Sequence, residues 1–311
     1  MFRPIRLLIL TGLLVAAVVP SVAHAKAQIA ISDNKPFMFN DPAWQNLKTK
    51  YSRVVVSWNV LTPKTSAGRD EKTRLDTWMA GAKAHGQSVL LSLNSSRDGR
   101  KGPVEPKTDK QYASAVKALK KKYPQIKAIS PWNEASYTQR SKKEITRVAG
   151  WAKLAKKNCK GCKVVMDVVD KPNLNSWTKK YIATSKKVKG SKISIWGLHN
   201  YVDVNNFTSK RTKAFLKITK KGDVWLTETG GVVNRANPGS HFAATGIDHQ
   251  TKATTYLFDQ IVKKNPRIKW VFIYNWSNEV TFASGFLSWD SALRDADGTL
   301  RPAYGVLQAN K

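Results

Sequence analysis

Lys163-Val-Val-Met-Asp-Val168, a helical stretch at 173–186, and then Ile193-Ser-Ile-Trp-Gly-Leu198 make one strand–helix–strand unit. Both runs are apolar and β-branched on their two faces, as strands of a buried parallel sheet must be. Working outward, the same kind of run recurs. Upstream lie Gln28-Ile-Ala-Ile-Ser32, Arg53-Val-Val-Val-Ser-Trp58, Ser88-Val-Leu-Leu-Ser-Leu93 and Ala128-Ile-Ser-Pro-Trp132. Downstream lie Asp223-Val-Trp-Leu-Thr227 and Trp270-Val-Phe-Ile-Tyr274. Between them, Leu75, Trp78, Met79 and Ala82 share one helical face, as do Tyr112, Ala115, Val116 and Leu119. Ile145, Val148, Ala152 and Ala155 repeat the spacing, and so do Thr254, Leu257, Phe258 and Ile261. Apolar stripes with lysines opposite are amphipathic helices packing on a sheet. Weaker helical stretches cover 41–51 and 208–220, and a last helix begins at Pro302, a favourable first helical residue. Eight strands alternating with eight helices predict an α/β fold, a (β/α)8 TIM barrel forming a single domain over 26–311. An open doubly wound sheet would want a glycine-rich loop after its first strand, and Ser32-Asp-Asn-Lys-Pro36 is not one.

The chain of 311 residues is 41% hydrophobic and 10% aromatic, which excludes intrinsic disorder. Two cysteines in such a length exclude a small disulfide scaffold. Arg3 and Arg6 precede an apolar run from Leu7 to Val19, and Ala23-His24-Ala25 follows as a small-x-small cleavage signal. This pattern predicts a secretory signal peptide over 1–25 and no transmembrane segment after its removal. The expected location is therefore extracellular, with retention at the cell envelope by positive charge. Lys+Arg number 53 against 21 Asp+Glu, a formal charge of +32. The lysines are scattered at helix-like spacing, as in Lys117, Lys120, Lys121 and Lys122, rather than gathered into one stripe. That scatter favours a general surface property or loose attraction to an anionic envelope over a dedicated groove.

Cys159 and Cys162 stand in Asn158-Cys-Lys-Gly-Cys-Lys163. In an exported chain they predict a local disulfide pinning a surface loop. A redox site and half a zinc site are the alternatives; no second cysteine pair or suitable histidine pair stands nearby.

In this barrel the functional rim is formed by the C-terminal ends of the strands. Those ends read Trp58-Asn59, Asn94, Trp132-Asn133-Glu134, Asp167 with Asp170, His199-Asn200-Tyr201, Thr227-Glu228-Thr229-Gly230-Gly231 and Asn275-Trp276. Glu134 and Glu228 each follow an apolar strand directly in a chain poor in acids. Paired carboxylates across a sugar are the apparatus of glycoside hydrolysis, one protonating the leaving oxygen and the other attacking the anomeric carbon or activating water.

Trp-Asn-Glu after strand four and Glu after strand seven resemble clan A of the glycoside hydrolases, (β/α)8 enzymes with a retaining mechanism. The resemblance implies that Glu134 is the acid/base, Glu228 the nucleophile and Asn133 a contact to the sugar 2-hydroxyl. It further implies that Tyr201 hydrogen-bonds the nucleophile, that Arg53 reaches up beside it, and that Trp276 forms the floor under the reacting sugar. Asp297-Gly-Thr-Leu-Arg-Pro-Ala-Tyr304 is similar to the way many such barrels close. No cofactor is implied, and no spacing of histidines and acids argues for a metal.

Physical chemistry assigns further expectations. Arg53 and Tyr201 would keep Glu228 ionised, while burial by Trp132 and the charge of Glu228 would raise the pKa of Glu134. His199 is either a packed, hydrogen-bonded supporting residue or a direct sugar contact. Trp58, Trp132, Trp276 and Trp289 are read as sugar platforms, with core filling as the alternative. Asn94, Asp167 and Asp170 are rim residues without an assigned role; His241 and His249 fall in a long loop. The expected protein is a monomeric glycosidase whose partner is a poly- or oligosaccharide, acidic envelope glycans and neutral β-glucans both open. Two other classes compete: a carbohydrate-binding barrel without catalysis, and a basic polyanion- or nucleic-acid-binding secreted protein, against which the absence of any recognised module stands.

Overall fold

A computed structural model describes residues 26–98, 104–235, 242, 244–278 and 289–311. The leader expected at 1–25 and His241 lie outside these residues. Eight strands form a closed, wholly parallel barrel: β1 (Gln28–Ser32), β2 (Tyr51–Ser57), β3 (Ser88–Asn94), β4 (Ile126–Ser130), β5 (Lys163–Val169), β6 (Ile195–His199), β7 (Asp223–Thr229) and β8 (Ile268–Tyr274). Closure comes from β8 pairing with β1, register Gln28 to Trp270 through Ser32 to Tyr274. The helices are α1 (Pro42–Asn46), α2 (Ser66–Ala84), α3 (Asp109–Lys122), α4 (Ala135–Thr138), α5 (Lys142–Asn158), α6 (Leu174–Lys187), α7 (Tyr201–Asn205), α8 (Lys210–Thr219), α9 (Ile247–Tyr256) and α10 (Pro302–Ala309). No helix among the described residues is long and apolar enough to cross a membrane.

Among the strand boundaries that differ from the sequence reading, two bear on the site. β2 begins at Tyr51, so Arg53 is an interior strand residue rather than the first. β4 spans Ile126–Ser130, which leaves Trp132 in the loop beyond it. The stretch at 41–51 is not one helix; it holds the five-residue α1, preceded by a 3-10 turn at Pro36–Asn40, and runs into β2 at Tyr51. Prolines at the start of both elements favour these short starts.

The helix-facing side of the sheet carries the main core, including Trp78, Trp132, Trp151 and Trp177, all buried. Inside the barrel, Ala30, Leu90, Ala128, Val165, Ile195, Trp225 and Phe272 form a separate apolar layer. Tyr51 and Trp270 pack beneath it, their rings 4.7 Å apart. One pleat repeat further along each strand, the inward positions turn polar: Ser32, Arg53, Ser92, Asp167 and Thr227. The barrel thus has an apolar plug at its N-terminal end and a hydrogen-bonded polar floor under its C-terminal rim.

Gly197 on β6 makes that floor possible. A Cβ there would sit 2.1 Å from Asp167 Oδ1 and 2.8 Å from Thr227 Oγ1, two atoms that hydrogen-bond each other at 2.7 Å. The Cys159–Cys162 disulfide closes the turn between α5 and β5. At the other end of the sequence, Arg301 donates two hydrogen bonds to Asp290, at 2.7 and 2.9 Å, and Tyr304 ties α10 to the carbonyl of Ala43 at 2.9 Å.

Gly197→Ala is expected to destabilise the barrel by about 1–3 kcal/mol, the usual cost of overpacking. Urea unfolding checks this; a stability unchanged from the parent would show that the floor yields without strain.

Candidate active site

The polar floor is organised around Arg53. Its guanidinium is fully buried and reaches four side-chain oxygens, Ser32 Oγ at 3.0 Å and Glu228 Oε1 at 2.5 Å from Nη1, Asn133 Oδ1 at 2.7 Å and Asp167 Oδ2 at 3.0 Å from Nη2, with His199 Nε2 3.5 Å from Nη2. Asp167 accepts two further bonds, from Ser92 Oγ and Thr227 Oγ1, both at 2.7 Å. Burial alone would raise the Asp167 pKa, but the charge of Arg53, then His199 and the hydroxyl bonds, bring it below the ordinary value. The arginine is correspondingly held charged.

Two local backbone features bring the glutamates to this floor. Strict alternation from Trp225 and Thr227 would turn Glu228 outward. Register shifts against both neighbouring strands, between Gly197 and His199 and between Leu226 and Thr229, reset the pleat, and Glu228 pairs with His199 across the sheet. Glu134 takes a left-handed conformation (φ 47°, ψ 44°) at the start of α4. Such a conformation in a non-glycine residue costs of order 1–3 kcal/mol and concentrates at functional sites. Asn133, just before it, is anchored through its amide to the Leu93 carbonyl at 2.7 Å.

His199 joins the two acids. Its Nδ1 lies 3.2 Å from Glu134 Oε1 and 3.7 Å from Glu228 Oε2, with the ring fully buried. Burial lowers the imidazole pKa, but the Glu228 charge and the Glu134 hydrogen bond outweigh it and leave it above the ordinary value. Glu134 behaves contrary to the sequence expectation. Burial raises it, yet the His199 hydrogen bond and the His199, Lys171 and Arg53 charges leave it below the ordinary value. Both shifts run in the direction that favours a proton on His199 over one on Glu134 across this contact.

These groups open into a cleft of about 420 Å³ lined by Asn133, Glu134, Tyr201, Glu228, Tyr274 and Trp289, among others. Two lysine-rimmed depressions on the outer wall between α6 and α8 hold none of the carboxylates.

The expected aromatic platforms are redistributed. Trp132 is buried and stacks on Trp151 with centroids 4.5 Å apart. It therefore does not cover Glu134. Trp276 is fully buried, donating to Asp41 Oδ2 at 2.9 Å and packing edge-on to Tyr304. Trp58 is half-buried against the core and donates to the Val104 carbonyl at 3.0 Å. Of the four tryptophans only Trp289 lines the cleft, with Phe242 and Tyr274, which the sequence reading did not single out. Their place beyond β7 and at the end of β8 is the signal that could have found them.

Tyr201 lines the cleft with its ring 4.8 Å from Trp289, but its buried hydroxyl has no hydrogen-bond partner among the described residues and makes no bond to Glu228. Burial and the Glu228 charge push its pKa well up. Asp170 lines the cleft as well, and Asn94 sits at its edge. His249 lies in α9, away from the cleft, 3.1 Å from Asn205 Oδ1. Among the described residues no group of three or more His, Cys, Asp or Glu is placed to hold a metal.

No protein-family model and no curated protein sequence matches the chain. Solved structures do match it. A Penicillium canescens endo-1,4-beta-xylanase aligns with a TM-score of 0.64 at 14% identity, covering 92% of this chain and 94% of that one. A Caldicellulosiruptor owensensis endo-1,4-beta-xylanase gives 0.62 at 12%, covering 91% and 96%. A family 39 glycoside hydrolase from Bacteroides cellulosilyticus gives 0.60 at 13%, covering 92% of this chain and 63% of that one. The chain folds like these glycoside hydrolase barrels. At such identities the likeness is one of fold, and the chemistry rests on the residues above.

His199, with its pKa raised in the folded state from about 6.5, contributes stability that is full below that value and lost as pH rises through the folded value. The gap in melting temperature between the parent and His199→Gln should therefore narrow from pH 6 to 9. A gap independent of pH would contradict the shift.

Proposed function

We propose that the protein is a retaining glycoside hydrolase acting on a poly- or oligosaccharide. The observation that carries this reading is the pair of rim glutamates facing each other across one imidazole nitrogen. The nearest oxygens of the two carboxylates can be no further apart than the 3.2 and 3.7 Å contacts laid end to end. That limit favours the retaining spacing of about 5–5.5 Å over nearly all of the inverting range of about 6.5–9.5 Å.

Glu228, paired with Arg53, attacks the anomeric carbon; Glu134 gives a proton to the leaving oxygen. A glycosyl ester on Glu228 forms as the glycosidic bond breaks. Glu134 then takes a proton from water, the water oxygen attacks the anomeric carbon, and the ester bond to Glu228 is released. The Glu134 side chain keeps 28% of its exposure in the free protein. A bound sugar covers it and raises its pKa. The proton held by His199 Nδ1 then has a 3.2 Å path to Glu134 Oε1. The acid is thus charged by substrate binding rather than standing protonated beforehand. Asn133 and Tyr201 are placed to meet sugar hydroxyls, the tyrosine with a hydroxyl that has no partner among the described residues.

The proposal includes export. Arg3, Arg6, the apolar run Leu7 to Val19 and the Ala23-His24-Ala25 cleavage pattern support it, as does the oxidised Cys159–Cys162 pair. The protein is taken to act as a monomer at or near the cell envelope, held there by its positive charge.

The test is hydrolysis of a polysaccharide panel by the parent protein, Glu134→Gln and Glu228→Gln, with the product anomer followed by NMR. The parent should cleave with retention of configuration. Glu134→Gln should lose about 10²–10⁴-fold in rate, and Glu228→Gln should be inactive. Binding retained in all three proteins without any cleavage would replace the enzyme by a carbohydrate-binding barrel.

A further inference from the structure

The cleft holds two cations that form no salt bridge with any carboxylate among the described residues. Lys171, on the loop after β5, has its ammonium 4.1 Å from the centroid of the Tyr137 ring. Arg211, in the first turn of α8, donates through Nη1 to the backbone carbonyl of Asp170. Both side chains line the cleft and are partly buried. Neither forms a salt bridge among the described residues, whereas Arg53, Arg147, Arg294 and Arg301 all do.

The two are held by neutral partners. A ring face and a peptide carbonyl fix where the positive charge sits without cancelling it. Burial pushes the carboxyl of Asp170, the acid between them in the cleft wall, well above the ordinary carboxylate range. It makes no salt bridge with Arg211 among the described residues; its Oδ2 accepts instead from the backbone N–H of Asp203 at 3.0 Å. Asp203, the next acid along, spends its carboxylate on the backbone N–H groups of Arg211 at 3.2 Å and Thr212 at 2.6 Å. Lys171 is close enough for its charge to act on Glu134. The free positive charge thus lies on the wall that carries the proton donor. On the opposite wall, Arg97 is already 3.7 Å from Glu71.

From this asymmetry we infer that Lys171 and Arg211 form an anion subsite that binds the carboxylate of an acidic sugar, so that the preferred substrate is a uronic-acid-containing glycan. This deepens the glycosidase reading and rests on it for the word substrate, but the binding claim stands apart from catalysis. A neutral glycan would leave two positioned, partly desolvated cations unpaired in every complex, at a cost to affinity. A uronate carboxylate supplies the missing partner, and Arg211 can grip it with two parallel N–H bonds. The scattered surface lysines then act at longer range, raising the local concentration of the same polymer.

The experiment separates the two readings. Glu228→Gln, which cannot form the glycosyl ester, is titrated calorimetrically with oligomannuronate, oligogalacturonate and hyaluronan oligosaccharides. Each is set beside its carboxyl-reduced counterpart and an oligothymidylate of equal charge. At least one uronate oligomer should bind about tenfold or more tightly than its reduced form, the worth of a charge-assisted contact. The added Lys171→Gln and Arg211→Gln substitutions should remove that preference while leaving the affinity for the reduced form within about twofold. No uronate preference in any pair, a preference that survives the double substitution, or equal binding of the oligothymidylate would overturn the subsite. A preference that is found in a protein without hydrolytic activity would retain the subsite and overturn the enzyme.

Discussion

A buried guanidinium needs carboxylates, and the rim of this barrel is built around satisfying one. Arg53 sits between Asp167 and Glu228 with side-chain oxygens of Ser32 and Asn133 completing its partners. Removing one member of such a set leaves an uncompensated charge out of water, which typically costs about 3–5 kcal/mol. The arginine therefore does more than lower the energy of one acid. It fixes the orientation of Glu228 from β7, of Asn133 from the loop after β4 and of Asp167 from β5 at once. Three segments far apart in the sequence are registered against each other by one side chain on β2.

The floor beneath also explains why the two glutamates differ in surroundings. Glu228 is reached by a permanent cation, whereas Glu134 is reached by an imidazole that can give up its proton. One carboxylate faces a charge that does not titrate away. The other faces a neighbour whose charge can change with its protonation. Sequence chemistry alone assigns the acid role to burial by Trp132. The structure turns that indole into the α5 stack with Trp151 and sets His199 Nδ1 3.2 Å from Glu134 Oε1 instead.

The alternation of strands and helices was legible because burial on both strand faces leaves a continuous apolar run, and the helices show one apolar stripe each. The glutamates were legible because an acid directly after such a run is conspicuous. Other features were hidden for definite reasons. The inward turn of Glu228 depends on register shifts between strands, which no single strand encodes. Trp58, Trp132 and Trp276 stand near strand ends in the sequence, but a residue just beyond a strand can turn to either side of the sheet. All three found partners in the protein instead of facing the cleft. The alternation of Ser32, Arg53, Ser92, Asp167 and Thr227 within apolar strands was a readable sign of the polar floor.

The central claim is that Glu228 becomes covalently bonded to the sugar while Arg53 holds it. Trapping the glycosyl-enzyme tests it most directly. The protein is incubated with activated 2-deoxy-2-fluoro glycosides, neutral and uronate forms included, and then digested and analysed by mass spectrometry. The account predicts one added glycosyl group per chain, on the peptide that contains Glu228. A label on any other residue, or turnover of the parent sugar with no trapped species, would contradict it.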